Sequence, residues 1–93
     1  MKKIVEVEKD TFNNETYEDT WVTLELNKED YEWVENDYGR RDTLVIENVD
    51  DFSNIIIGDD IIVEFKDMPL IPAAHRRMYM TIKEIADNKI ICR

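Results

Sequence analysis

The chain has 93 residues, 43% of them hydrophobic, with two glycines and two prolines, so it can bury one modest core and is too apolar for disorder. Acids outnumber bases 22 to 12, for a net charge of −10, which disfavours direct contact with nucleic-acid phosphates. Cys92 is the single cysteine, so no internal disulfide forms, and no apolar run approaches the ~20 residues of a membrane helix.

Charge follows Met1 too early for a signal peptide, so the expectation is one cytoplasmic domain over residues 1–93 with no membrane contact. Residues 3–8 alternate, with Val5 and Val7 on one face and Ile4, Glu6 and Glu8 on the other, which predicts a half-buried strand. Residues 9–19 are polar, and Asn13-Asn14 is the best turn among them. Residues 21–26 predict a second strand, with Val22, Leu24 and Leu26 inward and Trp21, Thr23 and Glu25 outward. A hairpin with a long tip would join the two.

Asn27 predicts the start of a helix. It is a good N-cap, Glu29 and Asp30 occupy the first turn, and Leu26 and Tyr31 have hydrophobic-staple spacing. Tyr31, Val34 and Tyr38 share one helical face, and Gly39 would end the helix, with Arg40 and Arg41 beyond it. Trp33 falls off that apolar stripe. A third strand is expected over 43–47, followed by a turn over 49–54.

The most apolar run, 55–65, reads as two central strands broken by the turn Gly58-Asp59-Asp60. Ile61, Val63 and Phe65 would face the core with Leu24, Ile46 and Ile82, and Glu64 would lie on the other face with Ile62. Two prolines make 68–74 an apolar loop. Strands over 78–85 and 90–92, joined by a turn at 86–89, complete the chain. The expected fold class is α+β: a small, strongly curved antiparallel sheet or partial β-barrel with one packed helix.

Residues 26–85 resemble the ASCH group of PUA-like barrels. There a helix, a Gly-basic turn, a strand and a Gly-Asp-x-Ile-x-Phe-like strand follow one another. The corresponding pieces here are 31–38, Gly39-Arg40-Arg41-Asp42-Thr43, 44–47 and 58–65, with the family's further strand at 78–85. The family's lysine would fall at Arg40 or Arg41, and its Glu-x-Arg has no arginine here. The resemblance implies a nucleotide- or RNA-binding barrel with a base pocket, in some members a small amidohydrolase site. Arg40, Arg41, Thr43 and Glu64 would line that pocket.

The residues themselves do not assemble a catalytic set. His75 lies between Ala74 and Arg76 with no nucleophile placed near it by any motif, and a solvated loop position accounts for it. Asp50-Asp51 and Asp59-Asp60 lack calcium-loop spacing and suit turns. Neither a metal nor a cofactor is expected, and an enzyme is the less favoured class.

The positive signal is charge distribution. Residues 10–38 carry ten acids and one base, whereas Arg76, Arg77, Lys83, Lys89 and Arg93 make the C-terminal segment basic. On the predicted helix, Glu29, Asp30, Glu32, Glu35 and Asp37 surround Trp33, with Glu25 on the strand before it. A solvated face is the plain account. The functional one is a non-enzymatic acidic protein that covers the basic nucleic-acid-binding surface of a partner by imitating phosphates. Phage inhibitors of restriction, of CRISPR systems and of nucleases act in this manner. A structural phage assembly protein is a further possibility.

Overall fold

The computed structural model describes residues 1–93, the side chain of residue 73 excepted. Seven strands share one sheet: β1 (Lys2–Phe12), β2 (Glu15–Leu26), β3 (Tyr31–Glu35), β4 (Arg41–Ile46), β5 (Asp60–Phe65), β6 (Arg77–Ala86) and β7 (Lys89–Cys92). Their spatial order is β1-β2-β5-β6-β7-β4-β3. All neighbours are antiparallel except β2 and β5. A parallel pair needs a long crossover, and residues 27–59, which contain β3 and β4, supply it.

The sheet is bent at β6. Residues 77–81 of β6 pair with β5, whereas residues 82–86 pair with β7, and the register shifts between Ile82 and Glu84. A bulge of this kind bends the strand and tightens its twist. The far end of the sheet thereby returns over the near one. The Tyr31 and Trp33 rings of β3 lie 4.9 and 6.0 Å from the ring of Phe65 on β5. The core between the two halves contains Leu24, Leu26, Leu44, Ile46, Ile61, Val63, Ile82 and Ile90, all essentially inaccessible to water. Phe65 and Cys92 join them. Alternation along β2 and β5 matches the expected faces: Ile61, Val63 and Phe65 point inward and Ile62 outward.

The α+β class is corrected. Among the described residues no helix reaches seven residues. The Asn27 signals produce only a 3₁₀ turn, Lys28–Asp30. Pairing wins beyond it, because Tyr31 lies opposite Ile46 and Trp33 opposite Leu44. In a strand, residues two apart share a face, so both aromatic rings reach Phe65. A helix would have sent them to different sides. Aromatic and β-branched residues favour that pleated, half-buried setting. Gly39, at φ 75°, belongs to the loop between β3 and β4 rather than to a helix end. Asn36 organises that loop: its Oδ1 accepts hydrogen bonds from the amides of Tyr38 and Arg40.

The run 55–57 is also corrected. It is not a strand but part of two successive turns, with the amide of Ile55 donating to the carbonyl of Phe52 and that of Asp59 to Ile56. Ile55 enters the core, whereas Ile56 and Ile57 stay exposed. Only the second half of the apolar run, β5, is a sheet strand. No helix among the described residues is long and apolar enough to cross a membrane.

Candidate binding face

The N-terminal strands extend further than the sequence suggested. β1 and β2 pair without interruption from Lys2 opposite Glu25 to Phe12 opposite Glu15. Asn13 and Asn14 close the hairpin with φ of 51° and 65°. Two consecutive positive φ values define the type I′ geometry that matches the twist of a two-residue hairpin, and asparagine tolerates it better than most residues. The outer part of this hairpin, from about Val7 to Thr20, stands exposed as an arm.

Strand alternation sorts the arm into two unlike faces. Residues directly opposite each other share a face. The outward face therefore carries Glu6, Glu8, Asp10 and Phe12 from β1, with Glu15, Tyr17, Asp19 and Trp21 from β2. All of these are exposed. The inward face carries Val5, Val7, Lys9 and Thr11 opposite Val22, Thr20, Glu18 and Thr16. Its one acid, Glu18, is paired with Lys9 at 3.2 Å. Five carboxylates and three aromatic rings thus occupy one side of the arm. Glu8 and Asp19 sit directly across from each other, an arrangement of like charges that destabilises a sheet. The Glu15 carboxylate accepts a 2.7 Å hydrogen bond from the Tyr17 hydroxyl, which pushes the Tyr17 pKa up.

The face continues onto the body. Thr23, Ile62 and Tyr79 form one row across β2, β5 and β6, and Glu25, Glu64 and Arg77 form the next. A groove of about 270 Å³ opens where arm and body meet, lined by Glu6, Glu8, Trp21, Ile62, Arg77 and Tyr79. On this face the body's two carboxylates, Glu25 and Glu64, are compensated. Glu64 is buried, with Lys66 Nζ at 3.3 Å and Arg77 Nε at 3.6 Å, and Lys66 also reaches Glu25 at 3.6 Å. Among the described residues no ion pair reaches Glu6, Glu8, Asp10, Glu15 or Asp19. On this face, negative charge is therefore paired where it lies on the body and unpaired on the arm.

The acidic residues singled out around the predicted helix do not gather. Glu25 belongs to β2, whereas Glu32, Trp33 and Glu35 belong to β3, with four strands between. Asp30 is buried: its Oδ2 accepts the Asn27 amide at 2.8 Å and lies 3.2 Å from the amine of Met1. It is a structural residue. Trp33 packs on the core beside Phe65 rather than standing free amid charges. Glu35 pairs with Arg41 at 3.5 Å. Glu29, Glu32 and Asp37 are exposed, on the 3₁₀ turn, the outer side of β3 and the β3–β4 loop respectively.

The second set, Arg40, Arg41, Thr43 and Glu64, is not assembled either. Arg40 and Arg41 are exposed where β4 begins, and Glu64 lies three strands away on β5 beside Lys66 and Arg77. Thr43 is buried and lines a shallow cavity with Asp42, Tyr38 and Arg93 that contains neither arginine of the set. In that cavity Asp42 has its pKa lowered by hydrogen bonds from Asn36 and Thr43. His75 is exposed at the end of a 3₁₀ turn. Burial pushes the Cys92 thiol up to about 12, so it serves as a small core hydrophobe.

In comparisons with known proteins the chain matches no family model, no curated protein and no solved structure. The arm and its face are therefore read on their own chemistry. Its signal was present in the sequence: the alternation of residues 3–8 runs on through Asp10 and Phe12, and Glu15, Tyr17, Asp19 and Trp21 repeat it in mirror order.

Proposed function

We propose that this protein is a non-catalytic binding protein whose acidic arm covers the basic nucleic-acid-binding surface of a partner protein. One observation carries the reading. Five uncompensated carboxylates share one face of a projecting hairpin with Phe12, Tyr17 and Trp21, and its opposite face carries none of them. Alternate strand residues are roughly 7 Å apart, so Glu6, Glu8 and Asp10 form a ladder of regularly spaced negative charge, with Glu15 and Asp19 on the neighbouring strand flanking Tyr17. A solvated surface needs no such one-sidedness, and Glu8 opposite Asp19 costs stability in the free protein. A partner with clustered Lys and Arg would relieve that repulsion. The aromatic rings would supply the packed contacts that hold a complex once charge has steered it together.

The partner is a protein that binds DNA or RNA through a basic groove. Complementary charge makes association fast and salt-sensitive. Capture from a lysate at low and at high salt isolates the candidate, and competition then decides. Wild-type protein should displace DNA or RNA from that partner. Glu6→Gln/Glu8→Gln/Asp19→Asn should displace it at least about tenfold less well, through a slower on-rate. A partner that holds this protein and its nucleic acid together, with unchanged affinity for each, overturns the reading.

A further inference from the structure

The two ends of the sheet differ. β3, at one end, has five residues and a register irregularity between Val34 and Glu35. Short, bulged strands are the usual protection of a sheet edge. β1, at the other end, has eleven residues, no proline and no bulge. Its backbone is half unused. A two-residue hairpin loop is closed by a hydrogen-bonded pair, here Phe12 and Glu15. Even-numbered residues of β1 therefore bond to β2, and Lys3, Val5, Val7, Lys9 and Thr11 turn their amides and carbonyls to the open edge. The amide of Thr11 fits this pattern, because it donates to the side chain of Asp10 at 2.9 Å instead of to a strand. Two of the three lysines on the strand, Lys3 and Lys9, are already engaged. Lys3 Nζ lies 2.7 Å from both the carbonyl and the hydroxyl of Ser53 and 3.0 Å from Asp51, and Lys9 is held by Glu18.

We propose that the open edge of β1 pairs antiparallel with β1 of a second copy of this chain, about a two-fold axis at Val5. The occupant follows from the sequence of the strand. In this register the two Val5 residues are opposed and form a hydrogen-bonded pair. Lys3 faces Val7 on the inward side, Ile4 faces Glu6, and Lys2 faces Glu8 twice on the outward side. Over residues 2–8 no like charges stand directly opposite. Shifting the axis to Glu6 sets Glu6 against itself and Lys3 against Lys9, and shifting it to Val7 opposes Glu6 and Glu8 twice. Val5 and Val7, 39% and 53% exposed in the single chain, gain apolar neighbours across the junction. The acidic faces of the two arms become neighbours in one sheet, so the assembly would suit a basic partner that is itself two-fold symmetric.

The salt response separates this contact from partner binding. Each copy carries −10, so self-association is opposed by net repulsion and strengthened as salt shortens the Debye length from about 14 Å at 0.05 M to about 4 Å at 0.5 M. Attraction to a basic partner responds in the opposite direction. The test is sedimentation velocity of the full chain at about 0.1 mM in about 0.05 M and about 0.5 M salt. A dimer that grows with salt is expected. Val5→Pro removes an edge amide that β2 does not use and should weaken the dimer at least about tenfold with the circular dichroism spectrum retained. Lys2→Glu should weaken it likewise, and Lys2→Glu with Glu8→Lys should restore it. A chain that is monomeric in both salts overturns the proposal. So does a dimer that Lys2→Glu leaves intact or that the charge swap fails to restore, which decides the matter even where Val5→Pro does not fold.

Discussion

Tyr31 joins the core to the loop that leaves β5. Its ring packs edge-on to Phe65, and its hydroxyl donates to Asp67 at 2.9 Å. Asp67 depends on that bond, because its other oxygen is buried without a partner. Burial first, then the hydrogen bond to Asp67, pushes Tyr31 up to about 12. The folded state thus holds this proton more tightly than the unfolded chain does. The resulting stability is complete below about pH 10, where an unfolded tyrosine titrates, and is lost as pH rises toward about 12. Tyr31→Phe should cost ~1–3 kcal/mol at neutral pH by stranding the Asp67 carboxylate. Denaturant unfolding of both proteins checks this: the gap should be open at pH 7 and narrow above about pH 10. Equal stability at neutral pH would show that Asp67 finds water when Tyr31 is lost.

The arm is held by its register and by its turn. Asn13 and Asn14 both occupy the left-handed region, which costs an ordinary L-residue roughly 1–2 kcal/mol each. Replacing both with alanine should therefore fray the outer pairs, from Phe12–Glu15 inward, and leave the core strands protected. Amide hydrogen exchange reads this residue by residue, with protection lost at Asp10, Phe12 and Tyr17 and kept at Leu24 and Val63. Uniform loss would mean that the arm folds as one unit with the body. The same elements explain what was legible in advance. Alternation placed Leu24, Ile61, Val63, Phe65 and Ile82 correctly, because a period of two is a local property of the chain. The helix reading failed at residues 27–38, where the cap and staple are local and the deciding contacts, Tyr31 and Trp33 against Ile46, Leu44 and Phe65, are not. Asp30 looked like a surface acid for the same reason: its burial comes from the return of the chain over it. The acidic arm was missed because its polar residues read as a loop, although Thr11, Thr16, Tyr17 and Thr20 are good strand formers.

Charge and shape act together in the whole molecule. The radius of gyration is 14.8 Å and the extents are 49 × 31 × 28 Å, whereas a compact chain of this length would have a radius near 12 Å. The excess is the arm, which carries unbalanced acids away from the Lys66 and Arg77 that balance Glu64. Repulsion on the arm should thus be visible in the stability of the entire protein, since β2 is shared by arm and core. Glu8→Gln with Asp19→Asn removes the directly opposed pair and keeps side-chain size. The double variant should gain ~0.2–1 kcal/mol of unfolding free energy at low salt. The wild type should gain stability as salt is added, and the variant less so, until the two converge near 0.5 M, where the Debye length falls to about 4 Å. Denaturant unfolding along a salt series measures both slopes. A variant less stable than the wild type at every salt concentration would mean that Glu8 and Asp19 hold the arm through contacts of their own. Convergence from above would mean that folding gains nothing from placing these two acids across from each other.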